Sequence, residues 1–239
     1  MNAARISGRE PQSVMDALLN ISALFDRIAR WAGKTVGWLM LPLIIVIMFD
    51  VVTRKIDYTR LWFSEFTVNY GYSLSTIMQD LQWHFHAMIL MLSFGFGYLA
   101  NAHVRVDVFR ELLPERTQAW SEFILLIFLG TPFMLMMIVY GWDLFALSWH
   151  QGEGSDSMTG IDFRWAIKFF VPLGFVVAMM ATLATMFRLG AYLFGDAAQK
   201  AEARDKLEIF ADDGGGLAEA REEAERILRE EAEKAARLK

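Results

Sequence analysis

The sequence predicts an all-α integral membrane protein: four transmembrane helices, an amphipathic interfacial helix before them and a charged helical tail after them. Three observations carry that reading. The 239 residues are 55% hydrophobic, with 19 Phe, 14 Met and 8 Trp, and mean hydropathy is +0.30, too apolar for a soluble domain of this size. Two apolar runs, 120–147 and 166–194, exceed 25 residues, whereas buried core helices of soluble proteins carry runs of about 10–14. Charge is segregated: residues 196–239 hold 13 acids and 9 bases, a net −4 out of the chain's −5. The body is therefore nearly neutral, and without a basic excess nucleic acid is excluded as a partner.

Residues 1–34 form the first unit. Val14, Leu18, Ile21, Phe25 and Ile28 recur at spacings of three and four, with Asp16, Asn20, Asp26, Arg27 and Arg30 mostly elsewhere on the wheel. Such a helix is expected to lie along the membrane surface, with Arg27, Arg30, Trp31, Lys34 and Trp38 as interfacial anchors. Charges inside this pattern, with no small-residue cleavage site after a short apolar core, argue against a cleaved signal peptide.

The membrane domain is predicted over 35–195, with spans at about 35–53, 83–101, 120–147 and 166–194. At about 1.5 Å per residue the second span reaches roughly 28 Å, near one hydrocarbon thickness. Pro132 and Pro172 stand inside spans three and four; each removes a backbone donor and is expected to bend its helix. Gly95 and Gly97 in span two permit close helix or lipid contact. The connection 54–82 is long and aromatic (Tyr58, Trp62, Phe63, Phe66, Tyr70, Tyr72) and is expected to fold back on the outer surface or onto a partner, with a break at Gly71.

Lysine and arginine set the direction. Five precede span one, three lie in 102–119, and Arg188, Lys200, Arg204 and Lys206 sit at or after the end of span four; the other side has only Arg54, Lys55, Arg60 and Arg164. Both termini are expected in the cytoplasm of a multi-pass bacterial inner-membrane protein. Residues 196–239 read as a soluble tail of two short helices divided by DDGGG at 212–216. In the second, acid-first pairs four apart, such as Glu222 with Arg226, add about 0.2–0.5 kcal/mol each.

Chemistry is confined to the ends of the spans. Asp50, His84, His86, Glu122, Asp143, Lys168 and Arg188 all lie near boundaries, so the chain lacks the central polar constellation of a stand-alone carrier. No catalytic arrangement or phosphate loop is recognisable. Without cysteine there is no thiolate site; His84 or His86 could pair with His150 across a haem only at the lipid edge, where an apolar pocket is hard to build, and alternate residues such as His84 and His86 point apart and do not suit a metal, so no cofactor is expected. A self-contained homo-oligomeric channel or carrier, lined by polar groups from several copies, is the alternative.

The order QWHFHAMILMLSFGFGYLANAHVRVDVF, LLPERTQAW, WHQGEGSDS and FRWAIKFFVPLGFVV resembles the small, DctQ-like membrane subunit of tripartite ATP-independent periplasmic (TRAP) transporters, closest to the mannitol/chloroaromatic branch, over about residues 35–190. The resemblance implies four helices, no solute or ion site on this chain, and a scaffold for the large membrane subunit of a sodium-coupled uptake system. It also implies help in docking a periplasmic substrate-binding protein, with membrane lipids as the remaining partners. Its HVRVD string gives His103, Arg105 and Asp107, with Arg110 and Arg116 following, as an inner-face anchor. Arg105 and Arg110 would reach phosphates or a carboxylate, and Asp107 would accept N–H bonds at the next helix start. The outer motif gives Asp80, Gln82, Trp83, His84, Gly152 and Glu153. Asp80 stands where that branch more often has Glu, and no proline precedes Arg164-Trp165.

Overall fold

The structure is a computed structural model that describes residues 14–101, 113–207 and 226. His103, Arg105, Asp107 and Arg110, and nearly all of the second tail helix, lie outside the described residues. Within them the chain is helical, in the order α1 (Val14–Gly37), α2 (Met40–Lys55), α3 (Asp57–Tyr70), α4 (Leu74–Leu99), α5 (Glu115–Leu125), α6 (Thr131–Gln151), α7 (Trp165–Lys168), α8 (Phe170–Phe194) and α9 (Ala197–Asp205). Three helical stretches are long and apolar enough to cross a membrane: Val14–Lys55, Glu115–Gln151 and Trp165–Phe194. They contain the expected spans one, three and four. The expected second span lies in α4, which is 26 residues long but carries Asp80, Gln82, His84 and His86 in its N-terminal half. Those four side chains dilute its apolar character.

α8 is the centre of the bundle. Its buried positions are mostly small: Gly174, Ala178, Ala181, Thr182, Ala184, Thr185 and Ala191 are all among them. Small side chains let neighbouring backbones approach, which is how helices associate where lipid supplies no hydrophobic drive. α4 uses this fully. A Cβ on Gly95 would stand 2.9 Å from the Val177 carbonyl oxygen, and one on Gly174 would stand 2.7 Å from that of Met91. The pairs 91 with 174 and 95 with 177 advance together, so α4 and α8 run parallel. On the other side Gly141 brings α6 to within 3.3 Å of the Pro172 nitrogen, measured from the same built Cβ position.

α1 runs antiparallel to both. Leu19 packs with Ala191 and Ala203, Ala29 packs with Leu99, Val177 and Ala181, and Gly33 meets the Phe96 ring. A helix lying flat at one level would cross α8 once; α1 instead follows it from 191 to 177, roughly 21 Å at about 1.5 Å per residue. The small residues Ser22, Ala29 and Gly33 on its buried face allow that approach. At Trp38-Leu39 the helix tightens into a turn, with Leu39 N–H donating to the Val36 carbonyl at 2.9 Å, before α2 continues in the apolar run.

Both prolines leave marks. Pro132 has no N–H to offer, and the preceding residues Leu126–Gly130 form a π-helical turn joining α5 to α6, closed by Thr131 N–H on the Leu126 carbonyl. Pro172 cannot bond the Lys168 carbonyl, and the helix is interrupted at Phe169 between α7 and α8. Within the aromatic connection the chain forms α3, where Trp62, Phe66 and Tyr70 touch at spacings of four in tilted pairs, with centroids 6.0 and 4.6 Å apart. It ends at Gly71, whose φ of 76° is a left-handed cap. Downstream of α8 the described part of the tail folds back: Ala203 and Leu207 are buried against the bundle, and Asp196 and Gln199 form a capping box on α9.

Candidate functional site

Polar side chains gather at the two ends of the bundle. At the end that the lysine and arginine pattern leads one to expect outside, called the outer end, the loop 152–164 is tied to the start of α4. Gly152 leaves α6 in the left-handed region at φ 59°, which turns Glu153 back over the helix end, where its N–H bonds the Ser148 carbonyl at 3.1 Å. Glu153 then receives an ion pair from Lys168, and Arg164 Nε lies 3.8 Å from it. Lysine and arginine beside it hold its carboxyl below the ordinary carboxylate range, with the Lys168 hydrogen bond as the main cause. Arg164 also pairs with Asp156, and its backbone N–H donates to the Glu153 carbonyl at 2.9 Å.

Asp80 on α4 holds the same loop from the other side. Its Oδ2 accepts the Ile161 N–H at 2.9 Å. Gly160 packs directly on that carboxylate and on Ser155, leaving no room for a Cβ. Ser73 N–H donates to the Thr159 carbonyl at 2.8 Å, and the Tyr72 hydroxyl donates to Asp162 Oδ2 at 3.1 Å. The Asp162 bond and charge hold the Tyr72 phenol above its usual range. Between these groups lies a cleft of about 500 Å³ whose walls include Asp80, Trp83, His84, Asp156 and Arg164. His84 Nδ1 approaches the Asp80 carbonyl at 2.5 Å, and Trp83 is largely exposed.

The structure thus brings Asp80, Trp83, His84, Gly152 and Glu153 into one region. Gln82 departs from it: its amide donates at 3.3 Å to Asp50 Oδ2, a buried carboxylate of α2 that also accepts Arg54 Nε at 2.9 Å. That contact ties α2 to α4. The residues that complete the region without having been singled out as site residues are Tyr72, Asp156, Asp162, Arg164 and Lys168. For Asp156, Asp162 and Arg164 the signal was the acid-rich stretch between Trp149 and Trp165; Tyr72 and Lys168 lie outside it.

At the opposite end, called the inner end on the same expectation, Arg188 of α8 is buried, with side-chain exposure of only 7%. Its Nε donates to Ser22 Oγ at 3.2 Å and its Nη1 to the Lys206 carbonyl at 3.2 Å, and Nη1 lies 3.1 Å from Asp26 Oδ1. Asp26 also accepts Arg30 Nε at 2.9 Å. One arginine therefore joins α1, α8 and the segment after α9. Arg204 on α9 pairs with Glu115 at the start of α5, Nη2 to Oε1 2.6 Å, and Arg116, the one described member of the inner anchor, stands beside it in the same helical turn. Of the expected interfacial residues, Trp31 and Trp38 are exposed at 68% and 72%, while Arg30 is engaged by Asp26. Among the described residues no group of His, Asp and Glu has the arrangement of a metal site.

Between these ends the buried side chains of α8 are mostly small or aliphatic. The arrangement joins helices and presents polar surfaces. No curated protein and no solved structure gives a significant match to the chain. A family model, "Tripartite ATP-independent periplasmic transporters, DctQ component", matches residues 43–190, from the first turn of α2 into the last turns of α8. That is more than half of the chain and takes in both the outer region and the central helix. The chain belongs to the DctQ family: it is a small membrane subunit of TRAP transporters, a class of membrane protein that works with a large TRAP membrane subunit and a binding protein.

Proposed function

We propose that this subunit is the stationary scaffold of a sodium-coupled TRAP uptake system, carrying neither the solute nor the ion site. The observation that carries the reading is the distribution of polarity: the buried residues of α8 are mostly Gly, Ala, Thr and aliphatic, and the ion pairs nearby lie at Arg188 towards its end and at Lys168 of α7 just before its start. A solute pathway through this chain would need polar groups near the middle. On this reading α4 is the fourth span. It packs parallel to α8 over 91–99, and a helix so joined to an apolar crossing helix is carried through the same layer.

The lysine and arginine distribution supports termini in the cytoplasm of the inner membrane, which puts the cleft of Asp80, Trp83, His84 and Arg164 on the periplasmic face. There it is placed to help the binding protein dock. His103, Arg105, Asp107, Arg110 and Arg116 are proposed to fix the inner ends of α4 and α5 against the large subunit. The sequence likeness to the mannitol/chloroaromatic branch supports membership of that branch.

The test is co-expression with the large subunit, followed by reconstitution with and without this chain. Recovery of a stable complex, with sodium-driven uptake only when both membrane subunits and the binding protein are present, is the expected result. Uptake of solute by the isolated chain would instead establish the homo-oligomeric carrier.

A further inference from the structure

Three cations follow one another along one side of α1. Arg27, Arg30 and Lys34, with Trp31 between them, open onto a cleft of about 620 Å³ that Arg188 and Lys206 also line. Two carboxylates, Asp26 and Asp205, face the same space, so five cations meet two anions. Asp26 is already engaged by Arg30 and Arg188. Lys206 holds Glu202, Nζ to Oε1 2.6 Å. Arg27 and Lys34 have no ion-pair partner among the described residues, and both are exposed.

Their depth makes that imbalance informative. On the opposite side of the same turns, Ala29 and Gly33 pack against Val177 and Phe96. Val177 lies eleven residues outward from Arg188 along α8, roughly 16 Å. α1 therefore carries its cations past the level of Arg188 towards the apolar layer. A cation there must find an anion or reach back to the headgroups along its own aliphatic stem. The anion that a bilayer supplies at this level is the lipid phosphate, and basic clefts between helices are where such headgroups bind.

We propose that the cleft between α1, α8 and the segment after α9 is a binding site for the phosphate of an anionic phospholipid, with Arg27 and Lys34 as its free cations, Arg30 and Lys206 beside them, and the Trp31 ring at the glycerol level. The proposal rests on the reading of the chain as a membrane subunit and is independent of solute, sodium or docking. It gives the conformation of α1 and the returning tail a dependence on lipid composition.

The experiment uses the complex of this chain with the large subunit, purified in neutral detergent and depleted of lipid. Phosphatidylglycerol and phosphatidylcholine of equal chain length are added, and bound lipid is counted by native mass spectrometry. The wild type is expected to hold phosphatidylglycerol in preference to phosphatidylcholine. Arg27→Gln with Lys34→Gln should weaken that binding about tenfold or more, and Arg27→Lys with Lys34→Arg should restore it. Equal retention of the two lipids by the wild type, or unchanged phosphatidylglycerol binding by the glutamine variant, overturns the proposal. So does displacement by millimolar inorganic phosphate without any lipid preference, which would assign the cleft to a soluble anion. Should the glutamine variant not assemble, the wild-type melting temperature decides: a rise with phosphatidylglycerol alone supports the site, and an equal response to both lipids refutes it. Co-purification of the wild-type subunits is read separately, because its failure would touch the proposed function and leave the lipid measurement standing.

Discussion

α6 and α8 are both long, apolar helices, yet the bundle treats them differently. Thirteen of the 25 residues of α8 are buried, against Gly141 and Ser148 alone in the 21 of α6. Phe133, Leu135, Met136, Val139, Tyr140 and Leu147 of α6 point outward. Hydropathy does not separate the two; side-chain size does. Gly, Ala and Thr line α8 where neighbours come close, while α6 carries large side chains on its exposed surface. In a membrane, small residues mark the helix at the centre and large ones the helix at the edge.

Substitutions can break that contrast, and Arg188→Met should do most. It leaves Asp26 partly buried with one cation instead of two and frees the Lys206 carbonyl, and removing one member of a buried pair costs about 3–5 kcal/mol. The expected sign is a large fall in the melting temperature of the detergent-solubilised subunit, with proteolysis opening after Phe194; an unchanged melting curve would refute the role of Arg188 as the inner clasp. Next is Gly174→Val, which drives a Cβ against the Met91 backbone. Overpacking of this kind costs about 1–3 kcal/mol, and helix-helix crosslinking between α4 and α8 should fall with it.

Acidification should sharpen the comparison at the outer tips of the two helices. Glu153 has a depressed pKa, so its contribution is fully present above the ordinary carboxylate value of 4.5 and is lost as pH falls through and below that value. A modest drop in melting temperature is expected over that range and should be absent in Lys168→Met; identical pH profiles would remove the ion pair as the cause. The smallest effect belongs to α6. Leu135→Ala, on its exposed side, should change the stability of the isolated subunit by no more than about 0.5 kcal/mol. A loss several times larger, read by thermal unfolding, would mean that this face is packed and that the contrast with α8 is false.

Much of this organisation was legible in the sequence, and the failures have physical causes. The apolar runs located the long helices, because exclusion from water acts on each residue by itself. Gly71 as a break and Gly95 as a point of close approach were also readable, since each is required by its own missing Cβ. The outer region was legible only in part. Glu153 was visible, but its partner Lys168 is 15 residues away, and Asp80 satisfies a backbone N–H at Ile161, 81 residues on. A backbone donor has no side-chain signature. The course of α1 was hidden for a related reason: its polar residues suggested a surface helix, while Ser22, Ala29 and Gly33, which seat it along α8, are nearly neutral in hydropathy. The Trp, Phe and Tyr residues of the aromatic connection did not announce α3, in which rings four apart touch.

The reciprocal notches at Gly95 and Gly174 bear on motion. Each admits the backbone of the other helix, so a shift of one helical turn would drive Met91 or Val177 into a larger neighbour. α4 and α8 are keyed together like a shaft and its collar. Sliding of α4 along α8 is blocked by these notches, so the two helices move as one body. Because the chain contains no cysteine, spin labels on α4 and α8 report that distance without background, and a change across the transport cycle would unlock the pair.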